Sequence, residues 1–589
     1  STGQAPSWFV SRYRYLIFWP NQRAASAAFF MLASRLHALG ILAFALAWVA
    51  YDHYRPWVNF HSEALALLGI GWMALGRCWG NNACAAVAPR VAGWVAAVAL
   101  IPWVQHFLGI GLFAGDALLA SLYLCGLGVA VWLGFSYAAP ELAPQPALDS
   151  VFFAIWVAAL GSAAIGLLQW LDLEGALQMY ALQADAGDRA MGNLGQPNQL
   201  ATLLLMGVAA LAWTFERQRI GYIGFFVGTA FLTLGLVFTQ SRAGMLSAIT
   251  VAVFLMWKNH GSSARLAPRL VLIWILAYGA AVLLLPSLFE WLLIGGSRSM
   301  NPGVDAARIT IWKQMLSGIS QAPWLGYGWN ETPTAHAAGS LAVPGSMTYT
   351  NAHNVVLDLL AWNGVPLGVL LTGGCCYWFL SRMYRAGKVN AVYAMACLLP
   401  IAVHSMVEYP FAYSYFLLAA GLMVGIVEAS YPGGKTIQLR LRWLGAALSI
   451  WFVVGGYMIY EYLLVEEDFR VVRFENLKIG KTQLDYEIPE VWMISHMGAM
   501  LKAGRQQARP GMTDDELENL RKASLRFPYG SLGLRNALAL GLNGNPAGAT
   551  HQMAVIRGMY GEYYYQAAVS VLRDLEKEKY PVLSLVETP

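Results

Sequence analysis

The chain has 589 residues, 58% of them hydrophobic and only 12% charged, with a formal net charge of +5. An ordinary soluble domain carries roughly 25% charged residues, so this composition excludes a soluble enzyme and marks a polytopic membrane protein. The modest positive balance gives no reason to expect nucleic acid as a partner; what carries information is where the cations sit.

In chain order, apolar runs near the ~20 residues needed to cross a bilayer fall at 36–51, 60–77, 91–112, 116–138, 149–171, 199–215, 219–238, 243–258, 268–289, 353–380, 389–406, 411–430 and 443–464. They predict an all-α fold with about 12–13 transmembrane helices. Two connections are long, 172–198 and 290–352, the second with a helix predicted over 304–318. Loops of that length in a compact protein are usually functional or disordered. Past residue 464, apolar positions recur at helical spacing among charges, as in "TDDELENLRKASLRF" and "EYYYQAAVSVLRDLEKE". The chain therefore divides into a transmembrane domain over 1–464 and a small α-helical domain over 465–589. Thr513 and Glu516 have the spacing of a capping box.

With the N-terminus inside, the inner segments collect Arg12, Arg77, Arg90, Arg217, Arg219, Lys258, Arg382, Arg385, Lys388, Arg440 and Arg442. The outer segments before 464 hold Arg55, Arg189, Arg242, Arg298, Arg308 and Lys313. This bias puts the long loops and the C-terminal domain outside. The six cysteines, Cys78, Cys84, Cys125, Cys375, Cys376 and Cys397, lie in or near apolar segments. They lack metal-ligand spacing, and neither a zinc site nor a disulfide framework is expected.

Four outer turns supply the polar chemistry. "GNLGQPNQLA" (Gly192 to Ala201), with Arg189 just upstream, brings Gln196 and Asn198 to the mouth of the sixth span. "TQSRAG" (Thr239 to Gly244) brings Gln240 and Arg242. "TYTNAHNVVLDLLAWNGVPLG" (Thr348 to Gly368) opens the tenth span with Asn351, His353 and Asn354. Thr350 or Asn351 is its expected N-cap, with His353 in the first helical turn. "HSMVEYP" (His404 to Pro410) adds His404 and Glu408, and Arg308 lies in the long loop.

An arginine at the hydrocarbon edge either snorkels, pairs, or meets an anionic ligand. Its planar fork matches phosphate oxygens, and helix N-termini add free N–H donors. Arg189 and Arg242, with Arg308 as a third, are thus candidates for holding a pyrophosphate without a metal. His353 reads either as a satisfied interfacial histidine or as a general base, since nearby arginines and a helix N-terminus keep an imidazole neutral and able to accept a proton. Glu408 is expected to orient His404 or an arginine, or to cap its turn. There is no Walker loop or dinucleotide fingerprint, and the polar residues gather on one face rather than at the midplane, where transporters bind their substrates.

The segments "TNAHNVVLDLLAWNGVPLG", "TQSRAG" and "ARITIWKQMLSGISQAPWLGYGWN" (Ala307 to Asn330) resemble the Wzy/WaaL superfamily of bacterial polysaccharide polymerases and O-antigen ligases. "GNLGQPNQLA", "HSMVEYP" and the added C-terminal domain also resemble its branch of PglL-type protein O-oligosaccharyltransferases. The resemblance implies a GT-C-like membrane glycosyltransferase with no cofactor and no metal; a single in-line displacement with His353 as base makes the expected reaction inverting. It would work at the periplasmic face of the bacterial inner membrane on an undecaprenyl pyrophosphate-linked glycan donor. It places the family's essential loop histidine on His353 and its donor-recognising arginines on Arg189 and Arg242, with Gln196, Asn198 and Gln240 as plausible hydrogen-bond partners. The first expectation is an O-antigen ligase with lipid A-core as acceptor. A protein O-oligosaccharyltransferase acting on Ser or Thr is the alternative, followed by an O-antigen polymerase or a lipid-linked glycan transporter.

Overall fold

The computed structural model describes residues 19–51, 53–79, 85–139, 145–184, 188–292, 303–431, 433–483 and 485–589. Arg12, Arg298 and Cys84 lie outside the described residues. The first half of the chain forms α1 (Trp19–Leu46), α2 (Phe60–Trp79), α3 (Arg90–Val98), α4 (Ile101–Phe107), α5 (Ala114–Ala138), α6 (Gln145–Trp170), α7 (Pro197–Glu216), α8 (Tyr222–Phe238), α9 (Arg242–Asn259) and α10 (Pro268–Leu292). The second half forms α11 (Gly303–Gln321), α12 (Thr332–Ser340), α13 (Val355–Arg385), α14 (Val389–Ser405), α15 (Ser414–Ala429), α16 (Leu441–Leu477), α17 (Ser495–Arg505), α18 (Asp514–Arg526), α19 (Gly530–Leu542) and α20 (Pro546–Glu578). The protein is an all-α polytopic membrane protein. Among the described residues α5, α6, α7, α13 and α16 are long and apolar enough to cross a bilayer, and α8, α14 and α15 are shorter apolar helices.

Burial ranks the helices. The apolar window of α7 is 94% buried and that of α16 only 28%, so α7 is the central post and α16 a peripheral one. Around α7 the core interlocks through aromatic and small residues. Phe152 of α6 stacks on Trp213 with ring centroids 4.1 Å apart. The α5–α15 pair meets at Gly134 and Gly425, where a Cβ would collide with the carbonyls of Leu422 and Val131; small residues allow such backbone approach between membrane helices.

Several elements differ from the sequence reading. The run at 91–112 is interrupted between α3 and α4, where Pro102, lacking an N–H, sits in the first turn of α4. Just before it, β1 (Ala85–Pro89) pairs antiparallel with β2 (Thr436–Arg440), Ala86 opposite Leu439. This two-stranded sheet escaped the all-α expectation because "AAVAP" reads as the edge of an apolar run. It ties the α2–α3 and α15–α16 connections to one face, the face to which the charge bias assigns Arg90 and Arg440.

On the opposite face, the segment 290–352 contains α11, as predicted, and also the unpredicted α12. α16 runs through residue 464 to Leu477 and ends on Lys478 in the left-handed conformation (φ 55°). The C-terminal helices α17 to α20 follow, and α18 and α20 both pack against α12. α18 opens with the capping box: Glu516 N–H donates to Thr513 Oγ1 at 3.2 Å and Thr513 N–H to Glu516 Oε2 at 2.9 Å.

Candidate active site

The rim of the site is built at helix ends. Gln196 is the extended N-cap of α7 (φ −147°, ψ 126°), followed by Pro197 at the first helical position, where a missing N–H costs nothing. Asn198, one residue on, reaches sideways in two directions. Its Oδ1 accepts from Ser241 Oγ at 2.7 Å, and its Nδ2 donates to Glu408 Oε1 at 3.4 Å. Ser241 is in turn the N-cap of α9, accepting from Gly244 N–H at 2.9 Å. It stands between Gln240, held at φ 44°, and the exposed Arg242.

Upstream of α7 the described parts of the connection 172–198 are pinned by buried amides. Gln169 Oε1 accepts from Gly192 N–H at 2.7 Å, and Asn193 Nδ2 donates to the carbonyls of Val49 and Tyr180 at 2.8 and 2.9 Å. Ala190 N–H donates to Phe238 O at 3.2 Å, which sets the neighbouring Arg189 beside the α8–α9 turn. Arg189, Gln196, Asn198, Gln240 and Arg242 therefore share one rim, as the sequence suggests.

His353 lies just before α13, not inside its first turn. The N-cap is Asn354 rather than Thr350 or Asn351: Asn354 Oδ1 accepts from Val356 and Leu357 N–H at 2.9 and 3.3 Å, while Nδ2 donates to Met406 O at 3.0 Å. One carboxamide thus caps the helix and bridges to the turn after α14, which neither Thr350 nor Asn351 does. Asn351 stays upstream, accepting from Thr350 Oγ1 at 3.4 Å. The peptide preceding His353 is clamped from both sides. Ala352 N–H donates to Asp358 Oδ1 at 2.9 Å, and Ala352 O accepts from Trp312 Nε1 at 3.1 Å.

His353 itself adopts φ 53°. A left-handed conformation at a non-glycine residue costs roughly 1–3 kcal/mol and persists where the surroundings over-determine it, often at functional sites. Its ring stands edge-on to Tyr349 and Tyr409, with centroids 5.5 and 4.9 Å away. Nδ1 lies 2.6 Å from Glu408 Oε2, and the other oxygen of Glu408 accepts from Arg308. Burial alone would raise the Glu408 pKa; His353 and Arg308 outweigh it and hold the carboxylate below its ordinary value.

The expectation that Glu408 orients an arginine holds for Arg308, but its side chain meets His353 rather than His404. His404 is buried and its Nδ1 is 2.9 Å from Thr202 Oγ1, which donates to Asn198 O at 3.0 Å. With the hydroxyl proton used there, His404 carries its proton on Nδ1. Its role is to brace α7 beneath Asn198.

Sequence reasoning missed Asp358 and Thr332. Asp358, fully buried inside a span, accepts from Thr332 Oγ1 at 2.7 Å as well as from Ala352. The signal was available in "NVVLDLLAW", because an ionisable residue within an apolar span is a functional pointer in itself. Gln169 and Asn193 carried no comparable signal.

Chemically, the arrangement offers an imidazole oriented by a carboxylate, with Nε2 turned away from that contact, and an arginine sharing the same carboxylate. A second group of cations, Arg189 and Arg242, stands on the rim reached through Asn198. Known proteins show the same segments. Residues 190–215 match a family described as protein glycosylation ligase, residues 227–372 one described as O-antigen ligase, and residues 392–574 one described as the C-terminal part of a virulence factor membrane-bound polymerase. A general O-oligosaccharyltransferase of Acinetobacter baylyi (strain ATCC 33305 / BD413 / ADP1) is 29% identical over 451 residues, covering 74% of this chain and 76% of the relative. A ComP-specific O-oligosaccharyltransferase of the same organism is 28% identical over 257 residues, covering 42% and 46%. Over these three stretches the chain is similar to families of membrane-bound polymerases, O-antigen ligases and protein glycosylation ligases, and it is a membrane glycosyltransferase.

Proposed function

We propose that this enzyme transfers a glycan from an undecaprenyl pyrophosphate donor to a Ser or Thr hydroxyl of a protein, at the periplasmic face of the inner membrane. The observation that carries the chemistry is the contact of His353 Nδ1 with Glu408 Oε2. It leaves Nε2 to take the proton of the acceptor hydroxyl as its oxygen attacks the anomeric carbon. The bond from that carbon to the pyrophosphate oxygen breaks in the same displacement, so the configuration inverts. In this reading Arg189 and Arg242 receive the charge that develops on the departing pyrophosphate, and Gln196, Asn198 and Gln240 are its further hydrogen-bond partners. General-base assistance of this kind is worth roughly 10²- to 10⁴-fold.

The protein acceptor is favoured over lipid A-core because both relatives are named O-oligosaccharyltransferases. The O-antigen ligase expected first from the sequence stands as the second reading, supported by the match over 227–372. The domain division at about residue 464 belongs to the same proposal: residues beyond it would supply the route by which a protein segment reaches His353.

The deciding experiment gives the purified enzyme a lipid-linked glycan and, in separate reactions, a Ser-bearing acceptor protein and lipid A-core, without nucleotide. A glycan-sized mass increase on the protein, lost in His353→Ala, supports the reading. Transfer to lipid A-core alone returns the assignment to O-antigen ligation, and full activity of a folded His353→Ala removes the base.

A further inference from the structure

Arg526 ends α18, well away in sequence from His353, yet its half-buried side chain meets α5 of the transmembrane part of the molecule. Its Nε and Nη2 donate to Asp116 Oδ1, in the first turn of α5, at 3.0 and 2.8 Å. The same junction is closed by Gly115 N–H donating to Ser495 Oγ at 3.0 Å. Glu331, the N-cap of α12, is buried, and α12 packs against α18, the helix that Arg526 ends. Burial and the Asp116 charge push the Glu331 pKa above the ordinary carboxylate range, while Arg526 pulls the other way. Asp116 is thus held by one guanidinium, and removing one partner of such a buried pair leaves an uncompensated charge.

The next residue after Glu331 begins a chain of contacts that ends at the base. Thr332 Oγ1 donates to Asp358 Oδ1 at 2.7 Å and accepts from Trp362 Nε1 at 2.7 Å. Asp358 Oδ1 receives Ala352 N–H at 2.9 Å, and Ala352 precedes His353. The same segment is gripped a second time by the C-terminal helices: Gly345 N–H donates to Gly558 O at 2.7 Å, where α20 bends at Gly561 (φ 79°, ψ 174°). Ala337 of α12 packs with Val555 and Met559 of α20. The stretch 331–353 is therefore gripped along its middle by α20, at Ala337 and Gly345, while its far end is held by Asp358 and Trp312.

We infer that Arg526 is a positioning residue for glycan transfer: through Glu331, Thr332, Asp358 and Ala352 it fixes the peptide that carries His353, so that the C-terminal helices are part of the catalytic frame. The inference rests on the proposed role of His353 for its kinetic consequence but not for its structural one. Arg526 touches none of the reacting atoms. Its loss is expected to loosen residues 345–354 and to slow turnover while donor binding is kept.

The test uses the full-length purified enzyme with Arg526→Gln, Arg526→Lys and Thr332→Val. Thr332→Val cuts the chain of contacts at its midpoint while leaving the Arg526–Asp116 pair intact, and it tests the coupling from α12 to His353 if Arg526→Gln does not fold. Hydrogen exchange by mass spectrometry should show faster exchange in peptides covering 345–354 for Arg526→Gln and Thr332→Val. Peptides within 197–216 should be unchanged. kcat should fall at least tenfold with donor KM within twofold of wild type, and Arg526→Lys should recover part of it. Unchanged exchange at 345–354 in a folded Thr332→Val overturns the inference whatever the activity does. Faster exchange with kcat kept, while His353→Ala is inactive, also overturns it. Faster exchange with both Thr332→Val and His353→Ala fully active would instead sink the proposed base and leave the mechanical coupling standing.

Discussion

The Nδ1 atom of His353 and Oε2 of Glu408 lie 2.6 Å apart although they come from different turns, one before α13 and the other between α14 and α15. The contact occupies one ring nitrogen and leaves Nε2 as the other, and with the proposed base role it gives a graded expectation. His353→Ala should lower kcat by roughly 10²- to 10⁴-fold. Glu408→Gln, which keeps the shape and removes the charge, should cost at least about tenfold in kcat with donor KM nearly unchanged. Single-turnover glycan transfer measures both. A Glu408→Gln enzyme of wild-type turnover would reduce the pair to a structural contact.

Arg189 and Arg242 are expected to act on the other substrate. A hydrogen bond to a charged group contributes about 1.5–3 kcal/mol, so either Arg→Ala change should weaken donor binding by roughly 10- to 100-fold. Arg242→Lys should recover only part, because an ammonium lacks the fork. Binding of a polyprenyl pyrophosphate, read by titration, is the direct check. Donor affinity equal to wild type in both alanine variants would leave the two arginines as snorkelling residues.

Gly364 interrupts α13 at φ 72°, ψ 172°, and a Cβ there would run into the carbonyl of Trp324. This conformation is open to glycine and strained for anything with a side chain. Gly364→Ala should therefore destabilise the fold by about 1–3 kcal/mol and disturb the turn in which Val365 N–H donates to Pro323 O at 2.7 Å. Thermal unfolding in detergent measures the loss. A melting point unchanged from wild type would mean that α13 straightens at no cost.

His336, buried in α12 with Nε2 3.0 Å from Gln314 Oε1, has its pKa pushed down to about 4 by burial. The unfolded chain takes up this proton near the ordinary value of 6.5 and the folded protein does not. Stability from this residue is therefore complete above pH 6.5 and falls as the pH drops toward 4, by up to about 1.4 kcal/mol per unit. His336→Gln should flatten the fall in melting temperature between pH 7 and pH 5. Parallel curves for the two proteins would show that His336 contributes nothing to it.

Much of the rim was legible because helix mouths leave a local trace. Gln196 with Pro197, Ser241 before Arg242, and the Asn-rich approach to α13 all mark the end of an apolar run with residues that cap or turn. What each turn touches leaves no such trace. Whether Glu408 meets His404, four residues away, or His353 on another element is decided by packing around α7, and the nearer partner in sequence was the wrong one. α12 was missed because "TPTAHAAGS" has almost no apolar face; it is held by Thr332 and by α20 rather than by propensity. The sheet was missed because its strands are five residues each and gain their meaning only from each other.

That sheet also constrains the order in which the molecule is made. β1 is complete once Pro89 has left the ribosome, but its partner strand ends at Arg440. At ~5–20 residues per second the wait is roughly 20–70 s. Through that interval the amides of β1 face solvent or lipid headgroups, and every helix from α3 to α15 is synthesised before they are paired. The strand pair is a late seam, joining helices made early to the one that leads into the C-terminal clamp.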